Sequence, residues 1–224
     1  KEGLEYVLFC GVHFMAESAD ILTAEKVKVI LPNMAAGCSM ADMADPNDVY
    51  QAWDEIHEML GEGASVVPVT YMNSAATLKA FVGEREGLVC TSSNAARALT
   101  WAFERGEKVL FFPDQHLGRN TGYAMGIPLE EMVLWNWRMP HGGVTAEQLA
   151  KAKIILWQGH CSTHQRFTAA QIEKARKEHP GVRVIVHPEC PWDVVQAADD
   201  NGSTEKIVKA ISEAPAVRRS TSDW

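Results

Sequence analysis

Short apolar runs alternate with segments of helical pattern along this chain of 224 residues. Uninterrupted apolar runs are typical of strands buried on both faces of a parallel sheet, and the segments between them place apolar residues at helical spacing. This alternation of strand and helix predicts an α/β fold. Buried strands are predicted at 6–10, 27–31, 66–71, 88–89, 108–112, 154–157 and 182–186.

Three helices carry clear start signals. Thr145 and Thr168 are each followed three residues later by glutamine, which is the capping-box pattern. Asp45 followed by Pro46 predicts a capped helix that ends at Gly61, and the same position marks a domain boundary.

Composition limits the class of protein. A hydrophobic content of 46% is enough for a buried core, and a net charge of -8 without a lysine or arginine run argues against nucleic-acid and anionic-membrane partners. The chain lacks a long apolar stretch and a signal-peptide pattern, so a cytoplasmic protein is expected. It does not begin with methionine and soon enters a predicted strand, so a preceding segment is expected to be missing.

The five cysteines are scattered, odd in number and never paired as CxxC, which favours reduced thiols or metal ligands over disulfides. Their positions are Cys10, Cys38, Cys90, Cys161 and Cys190.

A repeated unit becomes visible in the polar clusters that follow the predicted strands. One complete unit of four strands carries, in order, the clusters Tyr71-Met72-Asn73-Ser74, Cys90-Thr91-Ser92-Ser93-Asn94, Pro113-Asp114-Gln115-His116-Leu117-Gly118 and Trp157-Gln158-Gly159-His160-Cys161. The last two steps of an earlier unit precede it, and the first two steps of a later unit follow it. The predicted domains are therefore 1–45, 46–163 and 164–224, with only the middle one complete.

The repeat places Cys38 and Cys161 at equivalent steps, and a third equivalent cysteine would lie beyond Trp224. Ligands bind at the carboxyl ends of parallel strands, so units that face one another would direct these clusters into one cavity. Three thiolates from three units could hold one iron-sulfur cluster.

Six motifs in the same order resemble the quinolinate synthase family over nearly the whole chain. The motifs are Ala36-Gly37-Cys38-Ser39-Met40-Ala41-Asp42, Tyr71-Met72-Asn73-Ser74, Thr91-Ser92-Ser93-Asn94, Pro113-Asp114-Gln115-His116-Leu117-Gly118-Arg119, Trp157-Gln158-Gly159-His160-Cys161 and His187-Pro188-Glu189. The resemblance implies a pseudo-threefold arrangement of similar αβα domains, each with a parallel four-stranded sheet. It also implies a 4Fe-4S cluster that acts as a Lewis acid.

The reaction that this resemblance implies is the condensation of iminoaspartate with dihydroxyacetone phosphate to quinolinate, a step of NAD biosynthesis. An aspartate oxidase or aspartate dehydrogenase would supply the iminoaspartate. The matching positions imply Cys38 and Cys161 as cluster ligands, with the third cysteine outside this chain. They imply Tyr71, His187 and Glu189 as catalytic and substrate-binding residues, and Asn73, Ser92, Ser203 and Thr204 as further substrate-binding residues.

Other interpretations of the same residues stay open. Ser92 and Ser203 could serve only as helix caps, and His187 before Pro188 could simply end a strand. The pair Cys161 and His164 has the spacing of a zinc site, which would suit a zinc-dependent hydrolase. A chain with incomplete outer domains could also be a catalytically incompetent fragment or scaffold.

Overall fold

Strands and helices alternate along the computed structural model, which describes residues 3–61 and 63–214. The strands are β1 (Tyr6–Leu8), β2 (Lys28–Ile30), β3 (Val66–Tyr71), β4 (Leu88–Cys90), β5 (Lys108–Phe112), β6 (Met132–Trp135), β7 (Ile154–Trp157), β8 (Ile185–Val186) and β9 (Asp200–Asn201). The helices are α1 (His13–Leu22), α2 (Pro46–Leu60), α3 (Ala76–Glu84), α4 (Ala95–Phe103), α5 (Gln115–Ala124), α6 (Ala146–Lys151), α7 (Ala169–Glu178), α8 (Trp192–Ala197) and α9 (Thr204–Ser212).

The predicted middle domain contains a parallel sheet in the order β4-β3-β5-β7-β6. The prediction of four strands is wrong, because β6 adds a fifth strand at the edge. Among the described strands β6 pairs with β7 alone, and no polar cluster of the repeated kind follows it in the sequence, so the repeat did not predict it. Trp135 at its end is 1% exposed and packs in the core of the sheet.

Alternating side chains of the sheet pack against helices on both faces. Val109 and Phe111 of β5 lie in one core cluster with α4 and α5. Leu110 and Phe112 lie in a second core cluster with α2, α3 and α6. The strand period of two residues thus produces the αβα layers that the sequence predicts.

The three predicted helix starts are confirmed. Asp45 accepts a hydrogen bond from the Asn47 amide at 2.8 Å, and α2 ends at Gly61, whose φ of 82° suits a residue without a side chain. Thr145 and Thr168 each form a complete capping box.

The outer segments form two small parallel sheets, β1-β2 and β8-β9. The prediction of a buried first strand is wrong, since Tyr6 and Leu8 are 56% and 65% exposed and β2 is the partner strand of β1 within the described residues. Of the predicted strand 182–186, only β8 is regular.

The pseudo-threefold arrangement and the domain boundaries stay predictions, and residues 215–224 of the predicted third domain lie outside the described part. Among the described residues, no helix is both long and apolar enough to span a bilayer.

Candidate functional site

The polar segments after β3 and β8 meet although they are far apart in the sequence. The Tyr71 hydroxyl at the end of β3 donates a hydrogen bond to Glu189 Oε1 at 2.7 Å. Both side chains are buried, at 7% and 4% exposure. This contact links the predicted second and third domains at the carboxyl ends of their strands, which is where parallel sheets bind ligands.

Two histidines complete a group around this carboxylate. His164 Nδ1 lies 3.1 Å from Glu189 Oε2, and His187 Nδ1 lies 3.6 Å from Glu189 Oε1. The two imidazole rings stack with centroids 4.7 Å apart. We call Tyr71, His164, His187 and Glu189 the glutamate cluster.

The surroundings of the glutamate cluster shift the pKa values of its members in different directions. Burial alone would raise the pKa of Glu189, but hydrogen bonds from His164 and Tyr71 and the nearby His187 outweigh burial and lower it. Burial and the charge of Glu189 raise the pKa of Tyr71 well above its ordinary value. Burial lowers the pKa of His187. At neutral pH the cluster therefore combines an ionised carboxylate with a protonated phenol.

Cys38 and Cys161 lie on adjacent loops. The hydroxyls of their following residues, Ser39 and Ser162, are 3.2 Å apart, and both cysteines pack against the same core cluster. Both thiols are partly exposed and neither forms a disulfide. Burial raises the pKa of Cys161, while backbone N–H groups of His164 and Thr163 act in the opposite direction.

These two thiols suit an iron-sulfur cluster, because soft thiolates on neighbouring loops are the donors that such clusters use. Their role as ligands stays a prediction. Cys90 and Cys190 are buried, and burial raises their pKa values to about 12 and about 11, so both thiols stay protonated at neutral pH.

Asp114 anchors the loop that carries Cys161. Its Oδ1 accepts the Leu117 amide at 2.7 Å at the start of α5, and its backbone forms a β-bridge with Gly159, two residues before Cys161. The side chain is fully buried and Oδ2 has no partner among the described residues. Burial and the charge of Glu189 raise the pKa of Asp114 to about 8.

The start of α4 and the segment between β9 and α9 line a common cavity of about 260 Å³. Ser92 and Ser93 contribute from the α4 side, and Asn201 and Gly202 contribute from the α9 side. Helix starts present free backbone N–H groups and a positive dipole end, so this cavity suits phosphate or carboxylate groups. Ser92 lies near the Tyr71 hydroxyl and acts against burial by lowering its pKa, so the cavity borders the glutamate cluster.

The remaining predicted substrate-binding residues occupy three different environments. Ser203 caps α9 by accepting the Lys206 amide at 3.4 Å, so the capping interpretation holds for this residue. Thr204 is exposed, and Asn73 is half-buried two residues after Tyr71. Their roles in binding substrate stay predictions.

Two residues of this region had no clear role in the sequence. His164 stood out only through its spacing from Cys161, and the structure places it against Glu189 instead of in an isolated pair. Asn120 carried no signal at all. Its Nδ2 donates to the backbone oxygens of Pro188 and Cys190 at 2.8 and 2.9 Å, and so holds both ends of the segment that contains Glu189.

Replacing Asn120 by alanine is expected to lower the free energy of unfolding by about 1–3 kcal/mol, because two buried carbonyl groups lose their donors. The loss is limited, since Asn120 Oδ1 itself has no partner among the described residues. Urea unfolding of the full-length protein measures the change. Asn47→Ala, at an exposed asparagine of α2, is the control and should stay within about 0.5 kcal/mol of the unaltered protein. Equal stability of the two variants would contradict the prediction.

Comparison with known proteins agrees with the family resemblance of the sequence motifs. The family model described as "Quinolinate synthetase A protein" matches residues 1–220. Curated proteins named quinolinate synthase are 61% identical over 212 residues in Corynebacterium glutamicum and 59% identical over 213 residues in Streptomyces coelicolor. Each match covers 95% of this chain and 54% of the relative, so the chain spans about half the length of these relatives.

Proposed function

The chain belongs to the quinolinate synthase family, and from this premise we propose that the full-length protein forms quinolinate from iminoaspartate and dihydroxyacetone phosphate. The observation that carries the proposal is the contact between Tyr71 and Glu189, because it joins two motifs of different predicted domains in one buried site beside Cys161. An aspartate oxidase or aspartate dehydrogenase is the proposed source of iminoaspartate.

Cys38 and Cys161 would hold a 4Fe-4S cluster together with a third cysteine outside this chain. Their adjacent loops and partly exposed thiols support this assignment. When bound, the cluster supplies Lewis-acid chemistry to an oxygen or nitrogen atom of the substrate. Asp114 and Gln115 support the loop that carries Cys161, since both backbones pair with Gly159.

Protons at the reacting substrate would be handled by the glutamate cluster. Glu189 is ionised at neutral pH and can accept a proton, whereas Tyr71 stays protonated and can donate a hydrogen bond to a developing negative charge. His187 lies beside Glu189 and is mostly neutral, so it can relay a proton.

Both proposed substrates carry anionic groups that need positive partners. The cavity at the start of α4 offers them through Ser92 and the backbone N–H groups of the first turn of α4, and Ser203 and Thr204 would contribute from the neighbouring start of α9. Asn73, two residues after Tyr71, would orient a substrate carboxylate with its amide group.

The direct test is iron content and activity of the full-length protein after anaerobic reconstitution. We expect about four irons per chain and quinolinate formation, with both lost in Cys38→Ser and Cys161→Ser. Cys10→Ser is the matched control, because Cys10 is exposed and lies outside the site. Retention of iron and activity by Cys161→Ser would contradict the proposal.

The same test distinguishes the proposed function from two alternatives, a zinc-dependent hydrolase and a catalytically incompetent fragment. Zinc instead of iron in the active protein would favour a zinc-dependent hydrolase, which the neighbouring Cys161, His164 and Glu189 would suit. Iron in the full-length protein but not in residues 1–224 alone would make this chain by itself an incompetent fragment.

A further inference from the structure

Three groups with metal-binding atoms lie together at the edge of the glutamate cluster. The Cys161 thiol, one His164 imidazole nitrogen and one Glu189 carboxylate oxygen all lie within 4.8 Å of one another. Cys161 and His164 come from one short loop after β7, while Glu189 comes from the segment after β8. We call these three residues the mixed triad.

The geometry of the mixed triad is close to that of a tetrahedral zinc site. Zinc bonds of about 2.0–2.3 Å to nitrogen, oxygen and sulfur place neighbouring ligand atoms roughly 3.3–3.7 Å apart. His164 Nδ1 and Glu189 Oε2 are 3.1 Å apart, so this pair needs almost no movement. The thiol lies within 4.8 Å of both atoms, so it needs a shift of at most about 1 Å, which a side-chain rotation can provide.

Neighbouring residues already orient the ligands of the mixed triad. Tyr71 donates to Glu189 Oε1 at 2.7 Å, which leaves Oε2 directed toward His164. The His187 ring stacks on the His164 ring with an interplanar angle of 18°. Such outer contacts fix the direction of ligating groups and strengthen metal binding.

We propose that the protein without its cluster binds a single zinc ion through Cys161, His164 and Glu189, with the fourth position open to water. Binding releases one proton from the Cys161 thiol and changes no oxidation state. The thiolate and the carboxylate together balance the charge of the ion. Zinc and the cluster then compete for Cys161, and this second statement rests on the proposed function.

The test uses full-length protein from which iron has been removed by a chelator. Zinc is titrated against a chromophoric chelator, and Co²⁺ serves as a spectroscopic probe for a bond to sulfur. We expect one saturable site with sulfur-to-cobalt absorption. His164→Ala should weaken zinc binding by at least about 100-fold, because loss of a direct ligand should exceed the 10- to 100-fold effect of an outer-shell contact.

Cys38→Ser is the control that separates the mixed triad from the cluster thiols. If the mixed triad holds the zinc, Cys38→Ser leaves the zinc affinity unchanged. If the cluster cysteines hold it, Cys38→Ser lowers the zinc affinity and His164→Ala does not. The second pattern would overturn the inference, as would the absence of a saturable site. His164→Gln, with folding checked by circular dichroism, repeats the test if the alanine variant does not fold.

Competition is measured by iron uptake after preloading with one equivalent of zinc. Uptake should fall in the unaltered protein and recover in His164→Ala. A protein that takes up iron normally but binds zinc independently of His164 contradicts only this inference. A protein that binds zinc through His164 but never takes up iron contradicts only the proposed function.

Discussion

Replacing Glu189 by glutamine is expected to lower kcat of the full-length enzyme by about 100- to 10,000-fold, the usual contribution of a general acid or base. Glutamine keeps the size of the side chain and can still accept the Tyr71 hydrogen bond, but it cannot accept a proton. The loss should therefore appear mainly in kcat, with a smaller change in KM. Steady-state quinolinate formation with the reconstituted protein measures both constants.

Glu173→Gln is the matched control, since Glu173 is an exposed residue of α7 away from the site. Its kcat should stay within about twofold of the unaltered enzyme, because surface substitutions of this kind rarely alter the fold. If Glu189→Gln behaved like this control, the glutamate cluster would not take part in the reaction.

The effect of Glu189→Gln on the free energy of unfolding should depend on pH. The folded protein lowers the pKa of Glu189 below its ordinary value of 4.5, so the ionised carboxylate contributes stability above that value. This contribution is lost as the pH falls through the lowered pKa. The stability difference between the unaltered protein and Glu189→Gln should therefore be largest near neutral pH and shrink below about pH 4.

Replacing Phe111 by alanine is expected to lower the free energy of unfolding by about 3–5 kcal/mol, as for other large buried aromatic residues. Phe111 lies on the central strand β5 and is fully buried beneath α5. Gly118 brings α5 so close that an added Cβ atom would lie 2.7 Å from the Phe111 ring. Helix α5 therefore packs directly on the Phe111 ring. Removing the ring leaves a cavity that the rigid sheet cannot fill.

Urea unfolding of the full-length protein measures this loss, and Phe167→Ala is the control because Phe167 is 48% exposed. The control should lose clearly less, since only about half of its surface leaves water on folding. A loss below about 1 kcal/mol in Phe111→Ala would show that the core under α5 can collapse around the missing ring.

The α/β class and the helix starts were predictable because they depend on local signals. Runs such as Val66–Tyr71 are mostly apolar, since parallel strands are buried on both faces, and capping residues such as Thr145 bond within their own turn. The edge strand β6 was missed, because its apolar run is short and no polar cluster of the repeated kind follows it. The exposure of β1 was also missed, since apolar composition alone cannot say what covers a strand.

The sequence by itself determined the alternation of strands and helices, the repeated step that ends in Cys38 and Cys161, and the family. Only the tertiary structure decided that Glu189 meets Tyr71 and His164, and that Asn120 holds the segment around Glu189. The physical reason is the range of the interactions. Strand periodicity and capping act between residues a few positions apart, whereas these side chains come together only after separate strands align their carboxyl ends.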